Sequence, residues 1–200
     1  PKLERMGIHT FDDALRLSDV DWRREFGEHG AHFHELVRGI DDRPVVPDRT
    51  AKSISHEITF PVDMEDHDCL RAIVLDQTDA VARRLRRNEM FARTVVLKIR
   101  SGDFTTITRR ATVPDFTDET EILWQAVSGL FETWRQQKPP PVRLIGVGVL
   151  HLFDRGCGQL SLFQSENDAC RSQLDRTMDT IRDRFGNDAI TRGAQRPSIR

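Results

Sequence analysis

RTVVLKIRSGDFTTITRRATV, Arg93 to Val113, is the stretch from which the rest of this chain is read. It has the pattern of two β-strands joined at Ser101-Gly102-Asp103, a small polar step of the kind that turns a hairpin. Val95, Leu97, Ile99, Ile107, Ala111 and Val113 share one parity, while Thr94, Lys98, Arg100, Thr106, Thr108 and Arg110 share the other. Successive strand side chains point to opposite faces, so one face is apolar and the other cationic and hydroxylated. Asp103 is the only acid between Arg93 and Val113. Alternating Thr and Lys/Arg on a flat face suits the successive phosphates of a nucleic-acid strand. A plain solvated face has the same pattern, since Thr is a good strand former and Lys and Arg are common on surfaces. Arg109 falls on the apolar parity, which predicts a bulge or strand end that turns Arg109 and Arg110 both outward.

Upstream, Lys52 to Phe60 alternates Ile54, His56, Ile58 and Phe60 with Ser53, Ser55, Glu57 and Thr59, giving a strand with one polar face. His56 stands on the apolar parity and reads as a packed histidine rather than a ligand. Between the two strand regions, Asp66 to Arg87 places Leu70, Ile73, Val74, Val81 and Leu85 on one helical stripe. Arg83, Arg84, Arg86 and Arg87 crowd its last turn, where they complement the helix dipole and can widen the basic field of the hairpin. Downstream, Asp118 and Glu121 read as a capping box for a helix with Leu123, Val127, Leu130, Phe131 and Trp134 on its stripe, stopped by Pro139 to Pro141. Val142 to Phe153 is a buried strand whose Gly146 and Gly148 admit another backbone closely. The expected fold is α+β: a βαββαβ domain with a four-stranded sheet, two helices on one face, and the Thr/Lys/Arg row on the free face.

The domain boundaries follow from composition. Lys2 to Leu17 is helix, hairpin, helix, restarted by Thr10 as a cap with Asp13 three residues on; its Met6 to Thr10 turn is of the kind whose N–H groups hold a phosphate, and an ordinary helical turn has the same look. Trp22 to Ile40 continues as helix, so residues 1–40 form a helical piece. Residues 41–51, with two prolines, form a linker, and the sheet domain spans 52–153. Residues 154–200 are expected to be a flexible tail. In it Gly156 and Gly158 precede the apolar cluster of Leu160, Leu162 and Phe163, and a short amphipathic helix over about 171–185 needs a surface to lie on.

With 200 residues, 31% of them charged, and a net charge of -2, nucleic-acid binding must come from local clustering rather than total charge. Cys69, Cys157 and Cys170 form no CxxC pair, which fits reduced thiols of a bacterial cytoplasm and no metal site. Neither a signal sequence nor a membrane span is read, and a chain that begins at Pro1 is expected to be a piece of something longer.

Taken together, KLERMGIHTFDDAL, ELVRGIDDRPV, KSISHEITF, the hairpin, RLIGVGVLHL and QLSLF are similar, in order and spacing, to the C-terminal part of the Y-family, or translesion, DNA polymerases, most closely their bacterial polymerase IV branch. The first two resemble the second part of the thumb, the next three the little-finger domain, and QLSLF the sliding-clamp motif. The resemblance covers nearly all of residues 2–163. It implies the primer-template DNA grip of an error-prone polymerase serving DNA repair and replication past DNA damage, with contacts from Ser53, Ser55, His56, Glu57, Lys98, Arg100, Thr106, Thr108, Arg109 and Arg110. It also implies docking of the β sliding clamp through Gln159, Leu160, Ser161, Leu162 and Phe163.

Two features depart from the family. The carboxylates that hold two magnesium ions belong to the palm and fingers, so this fragment carries no catalytic residue and no cofactor and is expected to be inactive alone, while the parent is a DNA-directed DNA polymerase. Gly148 stands where some relatives carry a basic residue, which lowers the expected contribution of the last strand. A catalytically inactive relative acting as a clamp adaptor in mutagenesis shares this half of the fold. An unrelated RNA- or ligand-binding βαββαβ module is disfavoured, because Phe104 is the only aromatic side chain between Arg93 and Val113 available for base stacking.

Overall fold

A β-strand with its apolar residues on one parity must bury that face against something, and two amphipathic helices are the nearest candidates. The structure, a computed structural model, describes residues 2–47, 51–154 and 166–193. The chain divides into two units, Pro1–Arg49 and Thr50–Arg200.

In the first unit, α1 (Lys2–Arg5), α2 (Phe11–Leu15), α3 (Asp19–Phe26) and α4 (Glu28–Val37) surround a small core of Ile8, Ala14 and Trp22. Thr10 with Asp13 and Ser18 with Asp21 form reciprocal capping boxes at the starts of α2 and α3. The continuous helix expected over Trp22 to Ile40 is instead broken at Gly27, whose φ of +63° lies in the left-handed region. The break lets α4 turn back against α3 so closely that a Cβ on Gly30 would stand 2.1 Å from the Trp22 carbonyl oxygen.

The second unit has β1 (Ser53–Met64), α5 (His67–Arg87), β2 (Met90–Ser101), β3 (Thr106–Thr117), α6 (Thr120–Arg135), β4 (Val142–Asp154) and α7 (Glu166–Phe185). The strands form one antiparallel sheet in the order β1-β4-β2-β3. Val95, Leu97 and Ile99 of β2 stand opposite Val149, Val147 and Ile145 of β4. These six side chains meet Leu70, Val74, Val81 and Leu85 of α5 and Leu123, Val127, Phe131 and Trp134 of α6 in the core. Full burial of each large aliphatic or aromatic side chain contributes on the order of 1.5–3 kcal/mol, so this layer dominates the stability of the unit. Gln77, a polar residue buried on the sheet-facing side of α5, donates its amide N–H to the Ile145 carbonyl at 3.0 Å.

No bulge forms at Arg109. The β2–β3 ladder runs without a shift from Thr94 and Thr112 to Arg100 and Thr106, and the irregularity lies between Ala92 and Thr94. Arg109 stands opposite Leu97, on the helix-bearing side, while Arg110 stands opposite Val96 on the free side. Because β3 is an edge strand, a long side chain on the apolar parity reaches water past the sheet margin without disturbing the ladder. The same physics corrects the packed reading of His56. It stands opposite Val147 on the other edge strand, β1, and is exposed.

The tail is not simply flexible. Helix α7 begins at Glu166 rather than near residue 171, and it lies along α5 through ion pairs. At 100° per residue, Asp79, Arg83 and Arg86 fall on the side of α5 opposite Leu70, Val74, Gln77 and Val81, so α5 is held between the sheet and α7. Arg86 donates from Nε to Asp179 Oδ2 at 2.6 Å and from Nη1 to Asp175 Oδ2 at 3.2 Å, with further bonds to the Asp118 carbonyl and Thr120 Oγ1. Arg83 bonds Asp183 and Asn187, both at 2.6 Å. Asp79 on α5 is in turn paired by Arg182 and Arg192. The expected Asp118–Glu121 capping box does not form. Glu119 is the N-cap of α6 and makes no side-chain cap bond; Asp175 of α7 accepts from the Thr120 N–H at 2.9 Å and supplies the missing acceptor from a distance.

Arg86→Ala removes a cation whose side chain is 9% exposed and leaves Asp175 and Asp179, 4% and 16% exposed, short of their partner. The expected cost is about 3 kcal/mol, read by urea denaturation of the full chain together with faster hydrogen exchange in α7. Arg71→Ala, which removes an exposed 3.6 Å pair with Glu132, is expected to cost well under about 1 kcal/mol in the same assay. Bonds from Arg83, and then Arg87, hold the Asp183 carboxyl below its ordinary range. Its share of the docking is therefore fully present above that range and is lost as pH falls through the lowered value.

Candidate nucleic-acid interface

The free face of the sheet is a regular array of four rows, each read across β1, β4, β2 and β3. The rows are Thr59, Leu144, Arg100 and Thr106; Glu57, Gly146, Lys98 and Thr108; Ser55, Gly148, Val96 and Arg110; and Ser53, Leu150, Thr94 and Thr112. Directly opposed residues of an antiparallel pair share a face, so Ser53, Ser55, Glu57, Lys98, Arg100, Thr106, Thr108 and Arg110 stand together. His56 and Arg109 do not join them; they lie on the helix-bearing side, at opposite edges of the sheet.

The array has a low centre. Gly146 and Gly148 leave β4 bare between the side chains of β1 and β2, making a shallow trough of about 160 Å³ floored by these glycines and walled by Ser55, Val96, Lys98 and Arg110. The Glu57 side chain takes the space over Gly146 that a Cβ there would need, and Ser55 stands beside Gly148. The cations of the array are disposed unequally. Arg100 donates from Nε to Thr106 Oγ1, on the edge strand β3, at 2.8 Å. Lys98 Nζ is held by both carboxylate oxygens of Glu57, at 2.8 and 3.1 Å. Arg110 enters no ion pair among the described residues and is exposed. Asp103 stays out of the array: it accepts from the Thr105 N–H and hydroxyl, both at 2.9 Å, which hold its carboxyl below the usual range.

The arginines at the end of α5 do not widen this field. Arg83, Arg86 and Arg87 are turned to the carboxylates of α7, and Arg84 donates to the Ser55 carbonyl at 2.9 Å, closing part of the β1 edge. Nor does the Met6 to Thr10 turn present a ready phosphate cradle. Its backbone N–H groups are all engaged within the protein: Met6, Gly7 and Ile8 bond the carbonyls of α1, and His9 and Thr10 bond Asp13 Oδ2 at 3.2 and 3.0 Å. Asp13 occupies the place of an anion there. The His9 bond, followed by those of Thr10, holds its carboxyl below the ordinary value. The clamp-motif residues Gln159 to Phe163 lie outside the described residues.

Three features of the face were not assigned from sequence. Thr94 is 5% exposed and bonds His151 Nδ1 at 2.9 Å and Thr112 Oγ1 at 3.4 Å, tying β2 to both neighbours. His151 adopts a left-handed φ of +53°, and nothing in its sequence context signals this. The Glu57–Lys98 pair joins residues 41 apart across an intervening strand, and only the strand order reveals it.

Residues 51–162 match the model of the impB/mucB/samB family C-terminal domain. The chain is 38% identical over 152 residues to DNA polymerase IV of Listeria monocytogenes serotype 4b (strain F2365), covering 76% of the chain and 42% of that protein. It is 35% identical over 192 residues to DNA polymerase IV of Desulfatibacillum aliphaticivorans, covering 94% and 48%. With DNA polymerase IV 1 of Mesorhizobium japonicum (strain LMG 29417 / CECT 9101 / MAFF 303099) it shares 32% identity over 191 residues, covering 96% and 43%. The chain thus spans less than half the length of these relatives.

Thr94→Val keeps the shape of a buried side chain and removes its hydroxyl bonds to His151 and Thr112. It is expected to lower stability by about 1 kcal/mol, measured as a shift of the urea midpoint at unchanged m-value.

Proposed function

The chain belongs to the impB/mucB/samB family as the C-terminal region of a Y-family DNA polymerase, and on that premise we propose that its open sheet face grips the backbone of primer-template DNA for translesion synthesis. The observation that carries the proposal is the shared face: seven residues from three strands, Ser53, Ser55, Lys98, Arg100, Thr106, Thr108 and Arg110, present hydroxyls and cations around a glycine-floored trough, with Glu57 the one acid among them. Ser53, Ser55, Thr106 and Thr108 supply donors to phosphate oxygens, and Arg100 and Arg110 supply charge. Such contacts position a duplex without reading its sequence, which a polymerase copying damaged template requires.

The parent enzyme, we infer, is a bacterial cytoplasmic DNA-directed DNA polymerase. No helix of the described residues is long and apolar enough to cross a membrane. Nucleotidyl transfer with two magnesium ions is assigned to the palm and fingers of that parent. Among the described residues no three His, Cys, Asp or Glu side chains converge as a metal site requires. The β sliding clamp is the second proposed partner. Leu162 and Phe163 are its anchors and Gln159 sets the register, on the sequence pattern of an apolar cluster bracketed by Gly156-Cys157-Gly158 and Gln164-Ser165-Glu166. Tethering to a ring around DNA raises the effective concentration of a weak grip.

Affinity for a primer-template oligonucleotide, measured across a salt series, is expected to show a steep negative slope. Arg110→Ala should flatten it by about 0.9 unit, one phosphate contact. Arg109→Ala, on the other side of the sheet, should change it far less; equal effects, or none from Arg110→Ala, would overturn the assignment of the face. For the clamp, calorimetric titration should find binding by the intact chain and at least tenfold weaker binding by the Leu162→Ala, Phe163→Ala double variant. Equal affinities would remove the clamp from the proposal.

A further inference from the structure

We propose that Glu57 is a built-in brake on the DNA-gripping face: it withholds Lys98 from phosphate, so the trough works with one cation fewer than its sequence carries. The inference rests on the DNA-gripping reading above.

The two residues are not neighbours in the sheet. Glu57 lies on the edge strand β1 and Lys98 on β2, with β4 between them, a separation of about 9–10 Å between strand axes. They meet only because β4 places a glycine at the crossing. Gly146 is the Cα partner of both, and a Cβ built on it would stand 2.4 Å from Glu57 Cγ. The glutamate side chain therefore lies over the bare floor of the trough and delivers both oxygens to Lys98 Nζ, at 2.8 and 3.1 Å. The side chains are 36% and 32% exposed, so the pair is partly shielded from counterions.

Two consequences follow for a polyanion. Lys98 is already neutralised, and a phosphate approaching the middle of the trough meets a carboxylate over Gly146. Arg100 and Arg110, in the rows on either side, are left as the charged contacts, and the grip of the isolated face is weak and quickly released. A weak grip of this kind leaves residence on DNA to be set by tethering or by the rest of the polymerase. Glu57 is in this sense a tuning residue, acting on phosphate through Lys98.

The test is a fluorescence-anisotropy titration of a labelled primer-template oligonucleotide with the full 200-residue chain over a salt series, with each variant checked for an unchanged circular-dichroism melt. Glu57→Gln keeps the size of an exposed side chain and is expected to tighten binding about two- to fivefold at low salt and to steepen the log-affinity versus log-salt slope by about 0.9 unit. Lys98→Met alone should leave the slope nearly unchanged, and Glu57→Gln in the Lys98→Met background should no longer steepen it. A Lys98→Met chain whose slope flattens by about one unit would show that Lys98 already contacts phosphate and would overturn the brake, as would a Glu57→Gln chain with unaltered affinity and slope. The underlying reading fails separately: it falls if Arg110→Ala leaves the slope untouched. If Arg110→Ala flattens the slope while Glu57→Gln has no effect, the brake alone is overturned.

Discussion

Register is the constraint on which this molecule depends. Val95, Leu97 and Ile99 face Val149, Val147 and Ile145 across the centre of the sheet, and because the side-chain period is two, a slip of one residue would bring Lys98 and Arg100 beneath the helices. The cost of burying those cations unpaired is several kcal/mol each, far more than any single contact on the open face returns. The core therefore determines which side chains share the open face. Hydrophobic burial against α5 and α6 selects the pairing, and the pairing aligns Ser55, Gly148, Val96 and Arg110, and then Glu57, Gly146, Lys98 and Thr108, in rows.

A second layer of organisation is ionic. Helix α7 lies beyond the residues matched by the family model, yet it packs on that domain through Arg83, Arg86 and Asp79 of α5. Asp175 contributes twice, pairing Arg86 and accepting the first N–H of α6. Burying this many charges is favourable only when each finds partners, and here nearly every carboxylate has two or more donors. The same pairing turns Arg83, Arg86 and Arg87 toward carboxylates of α7, while Arg100 and Arg110 on the sheet face enter no ion pair among the described residues.

Electrostatic restraint recurs at smaller scale. Asp13 satisfies the N–H groups of the Met6 to Thr10 turn, Asp103 closes the β2–β3 turn, and Glu57 holds Lys98. In each case a carboxylate takes up donors of the protein's own surface.

By itself the sequence determined the elements and the faces. Alternation in KSISHEITF and in the Arg93 to Val113 hairpin marked the strands, the stripes of α5 and α6 marked the helices, and Thr10 with Asp13 marked a cap that forms as read. These were legible because period and capping are local properties. Only the tertiary structure decided what depends on strand order and on edges. Arg109 and His56 obey the parity of their strands yet reach water, since β3 and β1 have open flanks on that side. The arginines of α5 looked free until α7 supplied their carboxylates from about ninety to a hundred residues away. The cap of α6 comes from Asp175 rather than from Asp118, and Lys98 pairs with Glu57 only because a glycine of a third strand lies between them. Each of these is a long-range pairing of charges or donors, and a linear pattern carries no record of which partner the folded chain will bring within 3 Å.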